Sequence, residues 1–205
     1  TNACFYPSIK SEKILLDSTV DISYQQGDIT KSVTSRNYYY YDNPVHYQLT
    51  RSRTITSSGD TLITKIKYPQ DYIPTGFTVT GNTILDSMIG RNMVSETIEK
   101  QDSLYYSGSS SGYITGAQLS LFRILPANAN TIIPDKIYKL DIQSPFTNFV
   151  PFSISGNSIT QDSRNRQMIS FDQYDANGNI QQYTPTDQNP VTIIWDYIHV
   201  YPVAQ

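Results

Sequence analysis

Hydrophobic and polar residues alternate along most of this chain with a period of two. In residues 61–68, Leu62, Thr64, Ile66 and Tyr68 fall on one side and Ile63, Lys65 and Lys67 on the other. A strand in a sheet with one dry face and one wet face gives that split. The same pattern predicts strands over 31–41, 51–57, 93–101, 113–125, 137–142 and 149–154, with Ile159 in a short return. Ser58-Gly59-Asp60 and Gly156-Asn157 read as turns between strands. Near the C-terminus, 167–174 and 179–183 flank Asn177-Gly178, the strongest short hairpin signal in the chain. A turn at 186–189 and a strand over 190–197 complete a three-stranded meander.

Helical periodicity is confined to residues 82–90. There Ile84, Leu85, Met88 and Ile89 share a face and Gly90 can supply the stop. The fold class expected is therefore all-β. Antiparallel meanders and hairpins would form an open twisted sheet or a sandwich, with one short helix near 82–90. The whole of 1–205 reads as a single β-rich module. Within it, 31–72 is a first meander unit, 73–165 supplies linking strands, the helix and a flexible 107–112 loop, and 166–205 is a second meander unit. The segments 67–72 and 195–202 share an order of aromatic, aspartate and tyrosine residues that suggests related units.

Composition narrows the classes. Lys and Arg number 15 and Asp and Glu 18, for a net charge of -3. That balance lacks the basic footprint of a nucleic-acid binder. Charged residues are 16% of the chain, while 17 Tyr, 7 Phe and 1 Trp make it aromatic. Such a chain folds, and its Tyr, Ser and Thr favour strands. No apolar run approaches the roughly 20 residues of a membrane-spanning helix. Cys4, the single cysteine, excludes an intramolecular disulfide and a cysteine-rich metal site.

Candidate chemistry is sparse. Asp175-Ala176-Asn177-Gly178-Asn179 invites a calcium loop, but Ile180 and Thr186 stand where the loop needs Gly and Glu. The two histidines, His46 and His199, lie in no metal spacing. An enzyme would need one of them in a pocket beside a carboxylate or a serine. Glu96, Glu99 and Asp141 are the carboxylates with apolar neighbours. Glu96 and Glu99, three apart on an expected strand, would face opposite sides and make a poor hydrolytic pair. No phosphate loop or dinucleotide motif is present. No catalytic residue, metal ligand or cofactor is assigned. Residues 38–41 are four consecutive tyrosines. Extended, they alternate between faces, which makes Tyr39 and Tyr41 a candidate binding surface.

The segment Tyr174-Asp175-Ala176-Asn177-Gly178-Asn179-Ile180 resembles the core motif of RHS/YD-repeat proteins, Tyr-Asp-x-x-Gly-Arg/Asn-Leu/Ile. Residues 39–72, 91–101 and 180–204 are similar to other parts of bacterial members. The resemblance implies a non-enzymatic structural and interaction module of a large secreted or cell-surface protein. Its partners would be neighbouring repeats of the parent chain, with a glycan or a protein as further candidates. It also implies roles within the motif, whose residues here are Tyr174, Asp175, Gly178 and Asn179: Tyr174 packs in the sheet, Asp175 bonds the turn backbone, and Gly178 takes the left-handed conformation. This chain carries one such motif, and Asp196 stands where the family's downstream glycine falls, so enclosure of a toxin is not carried over. Two other functions stay open: a carbohydrate- or peptide-binding module using exposed tyrosines or a sheet edge, and a hydrolase with an unrecognised site.

Overall fold

A computed structural model describes residues 13–73, 83–155, 158–196 and 198–204. Cys4, the Gly156-Asn157 turn and Tyr197 lie outside the described residues, as does Asn82 at the start of the expected helix. Among the described residues the chain is all-β around one dominant antiparallel sheet. Seven strands come first: β1 (Ser18–Gln25), β2 (Asp28–Tyr40), β3 (Arg51–Ile55), β4 (Thr61–Lys67), β5 (Glu99–Tyr105), β6 (Gly112–Leu125) and β7 (Asn128–Leu140). A small separate hairpin of β8 (Ser153–Ser155) and β9 (Ser158–Thr160) follows. β10 (Asn165–Tyr174), β11 (Ile180–Pro185) and β12 (Val191–Thr192) then rejoin the main sheet. The ten strands lie in chain order from β1 at one edge to β12 at the other. β13 (Ile194–Trp195) leaves the sheet and pairs with β14 (Pro202–Ala204).

The sheet runs unbroken across residues 72–73 and 165–166, because β4 pairs with β5 and β7 pairs with β10. Residues 67–72 end in a 3-10 turn, Pro69–Tyr72, whereas the described part of 195–202 makes a hairpin. Similar sequence order there takes two different backbones.

Directly paired residues share a face, so the registers locate the core. Lys67 pairs with Glu99, Glu99 with Leu119, and Leu119 with Tyr138. On that face Leu119 joins Leu85, Met88, Ile98, Ile132 and Phe152 in the buried cluster. Leu62 lies on the opposite face, paired with Leu104, and remains 45% exposed. The face of β4 carrying two lysines is therefore the one beside the core. Lys67 is tolerated there because its ammonium reaches Glu99 at 3.5 Å and lies over the Tyr72 ring. Its alkyl stem can cover apolar neighbours while the charge stays paired.

The helix α1 (Ile84–Gly90) caps this core and buries Leu85 and Met88. Its N-terminus is held by reciprocal bonds: the Asp86 N–H donates to Thr83 Oγ1 at 3.1 Å, and the Thr83 N–H to Asp86 Oδ2 at 3.0 Å. Gly90 does not supply the stop. Asn92 takes the left-handed conformation at φ 59, and the Met93 N–H reaches back to Met88 O at 2.9 Å.

Several strands differ from the sequence expectation. β1 was not anticipated. β5 begins at Glu99 and leaves Glu96 in the preceding loop, so the opposite-faces argument for Glu96 and Glu99 does not apply. β7 runs through Pro134, which sits at a register shift against β6. A bulge there takes one N–H out of the ladder, the setting in which a strand tolerates proline. Residues 107–112 join β5 to β6 beside the Gly59 turn, where the Ser107 N–H donates to Asp60 Oδ1 at 2.9 Å.

Candidate functional site at the Asp175 turn

The β10–β11 hairpin closes over Asp175. Its backbone N–H donates to Asn179 O at 3.0 Å, and the Gly178 N–H donates to Asp175 O at 3.2 Å. Gly178 has φ 90, a conformation glycine adopts at little cost. The Asp175 carboxylate is nearly buried and bonded on both oxygens. Oδ1 accepts the N–H groups of Asn177 at 2.9 Å and Asn179 at 2.8 Å. Oδ2 accepts the Asn179 amide at 3.0 Å and faces His199 Nδ1 at 3.1 Å. Burial works against the charged form, but the donors from Asn179 and Asn177, with His199 beside them, outweigh it and hold the carboxyl below its ordinary range. Tyr174 donates its hydroxyl to Pro134 O at 2.7 Å and packs beside Phe171. Burial pushes that phenol up to about 12.

The turn between β13 and β14 repeats this geometry. The Asp196 side chain accepts the N–H groups of Ile198 at 3.2 Å and Val200 at 3.0 Å. The His199 N–H donates to Asp196 O at 3.0 Å, and His199 takes φ 55 where the first turn has Gly178. Asp175 and Asp196 thus each accept the N–H groups two and four residues on, with a left-handed residue at the third position. The two turns are joined: Asn179 Nδ2 donates to His199 O at 2.9 Å, beside the His199–Asp175 contact. The Trp195 indole donates to Ile180 O at 2.8 Å. Between them lies an open hollow of about 380 Å³ lined by Gln173, Gln181, Thr192, Trp195 and His199, with Ile193 and Ile194. His199 therefore stands in a hollow beside a carboxylate, the arrangement the hydrolase reading asked for; the lining offers the Thr192 hydroxyl but no serine and no thiol, and the other Asp175 bonds hold its own turn.

The second histidine is inside the fold. His46 lies in the connection from β2 to β3, its side chain 1% exposed. Its Nδ1 accepts the Gln48 N–H at 3.0 Å, which places the ring proton on Nε2, facing Asp71 Oδ1 at 3.2 Å. Asp71 also accepts the Asn43 amide at 2.7 Å and the Tyr68 N–H at 2.8 Å. Both imidazole nitrogens are therefore occupied by internal partners, and neither can take a proton from a nucleophile.

The carboxylates singled out by sequence are dispersed. Glu96 is exposed and Asp141 meets Arg166 at the surface. Glu99 is buried and accepts the Phe152 N–H at 2.7 Å and the Tyr72 hydroxyl at 3.3 Å. Burial, with Glu99 alongside, pushes the Tyr72 phenol far above its ordinary range. Among the described residues no group of three or more His, Cys, Asp and Glu side chains could hold a metal.

The tyrosine run divides between faces. Tyr38 and Tyr40 pair with Arg53 and Arg51, and the Arg51 guanidinium lies 3.9 Å from the Tyr40 ring centre. Tyr39 pairs with Ser52 on the other face. Tyr39 and Tyr41 are half-buried, and neither lines the hollow beside His199.

Sequence reasoning did not single out Asp162. That carboxylate is 1% exposed and receives the Arg164 side chain at 2.7 Å and the Val150 N–H at 2.9 Å. Arg164 hydrogen-bonding holds the Asp162 carboxyl well below the usual range, against the opposing effect of burial. Arg164 also lies over the Phe146 ring and reaches Asn148. The cluster pins the 141–152 segment to the start of β10. No family model matches the chain, and neither does any curated protein or solved structure.

Proposed function

We propose that this chain is a non-enzymatic structural and interaction module, a length of rigid antiparallel sheet from a large secreted or cell-surface YD-repeat protein. The observation that carries the reading is the use made of Asp175: three of its four contacts hold its own turn, and the fourth, to His199, ties in the neighbouring hairpin. Tyr174, Asp175, Gly178 and Asn179 form one closed unit, which suits a motif whose work is to fix a hairpin. The occupied ring of His46 and the dispersal of Glu96, Glu99 and Asp141 support the same reading. A sheet whose strands follow in chain order also suits an array, since further hairpins would extend it without rearrangement. The competing glycan-binding reading is tested on a glycan array with Tyr39→Ala and Tyr41→Ala variants. The scaffold reading expects no sugar signal that these changes remove. Binding by the unmodified protein that is lost in either variant overturns it.

A further inference from the structure

The two edges of the ten-stranded sheet are built differently. β12 is two residues long and follows Pro190, which blunts its edge. β1 is eight residues long and contains no proline, lysine or arginine. Among the described residues nothing pairs with its outer side. Its even-numbered residues form an exposed apolar row: Val20 at 54%, Ile22 at 48% and Tyr24 at 59%. The same residues carry the free backbone groups. The Tyr39 N–H donates to Asp17 O at 2.8 Å, and the register continues through Ser18 with Tyr38 and Thr19 with Asn37. In an antiparallel ladder the bonded pairs then recur at Thr19, Asp21 and Ser23. The N–H and C=O groups of Val20, Ile22 and Tyr24 therefore point away from β2, to the open edge.

We propose that β1 is a self-pairing edge, at which a second copy of this chain adds its own β1 antiparallel about Ile22. The sequence is self-complementary in that register. Ile22 falls opposite Ile22, and Val20 opposite Tyr24, an aromatic with a β-branched partner. Only outward-facing backbone groups meet outward-facing ones. Asp21, the single charge on the strand, falls opposite Ser23. Moving the register by two residues in one direction would set Asp21 against Asp21, so charge disfavours that pairing; moving it the other way loses the Ile22–Ile22 and Val20–Tyr24 pairs. An edge of this length supports a weak, concentration-dependent dimer. The proposal goes beyond the scaffold reading and stands on β1 alone.

Sedimentation equilibrium over a concentration series tests it. The unmodified protein is expected to dimerise, and Ile22→Lys to remain monomeric with its melting transition intact. Val33→Lys, at an exposed position on the opposite face of β2, is expected to leave the dimer in place. In a Cys4→Ser background, mixed Asp21→Cys and Ser23→Cys chains should cross-link on oxidation far more than either alone. This cross-link decides the matter should Ile22→Lys fail to fold. A monomer at all concentrations overturns the proposal, leaving the edge to a strand of another chain or another segment. A dimer that Ile22→Lys does not dissociate, or cross-linking without preference for the mixed pair, overturns it as well.

Discussion

At the scale of single residues, acidic side chains do the structural work at the turns and connections. Asp175 satisfies two backbone N–H groups of a turn whose Gly178 lies against Thr131 and Ile133. Leaving such donors without partners costs about 2 kcal/mol, so Asp175→Ala should lower the unfolding free energy by roughly that amount in a urea titration at neutral pH. The direction of the pH dependence follows from the same bonds. The Asp175 and Asp162 carboxyls both lie below their ordinary value of 3.8 in the fold. Each contributes stability that is present above that value and lost as pH falls through the lower, folded one. Unfolding titrations from pH 7 downward should therefore show stability falling below about pH 4, with a shallower acid decline in Asp175→Ala. A decline of equal steepness in variant and parent would remove Asp175 from this role. Asp71 shows a further use of a carboxylate, orienting a buried imidazole and a strand-end N–H together.

At the scale of elements, the hairpin turns were legible and the strand bounds less so. Asn177-Gly178 and Ser58-Gly59-Asp60 carry the glycine that positive φ demands, and both glycines take it. The turn at Asp196 was hidden because His199 fills the left-handed position, although Asp196 and His199 repeat the spacing of Asp175 and Gly178. β1 escaped notice because Val20, Ile22 and Tyr24 are spaced among Ser, Thr and Asp, and Gln26, not Asn or Asp, precedes Gly27 in the turn after it. β5 is polar along most of its length, and β4 and β6 hold it in the sheet from either side more than its own propensity does. Pro134 reads as a strand end in isolation, and only the bulge beside it, at Asp135 of β7, lets the strand continue. The candidate site was half legible: the motif residues could be named, but a contact 24 residues apart, between Asp175 and His199, has no sequence signature. The face assignment has a direct check. Leu119→Ala should cost about 3 kcal/mol in denaturant unfolding, the usual range for a buried leucine in a packed core. Leu62→Ala, on the open face, should cost under about 1 kcal/mol. Equal losses would mean that the core does not lie on the Leu119 side alone.

At the scale of the whole molecule, the described residues are built on one ten-stranded sheet with its main core on one face, under α1 and the β8–β9 hairpin. The opposite face gains local cover where the Asp175 turn approaches the strand of Ile133, but Leu62 remains open to solvent. A long sheet with one partly open face, one blunted edge and one open edge is suited to presenting surface. His46, Asp71, Asp162 and Asp175 hold connections and turns of that sheet in shape. On the proposed function the molecule works by display and not by turnover. The most direct measurement is turnover on a panel of glycoside, ester and peptide substrates by the unmodified protein, His199→Ala and His46→Ala. No turnover that depends on either histidine is expected. Turnover by the unmodified protein that His199→Ala abolishes, with the fold retained, would contradict the account.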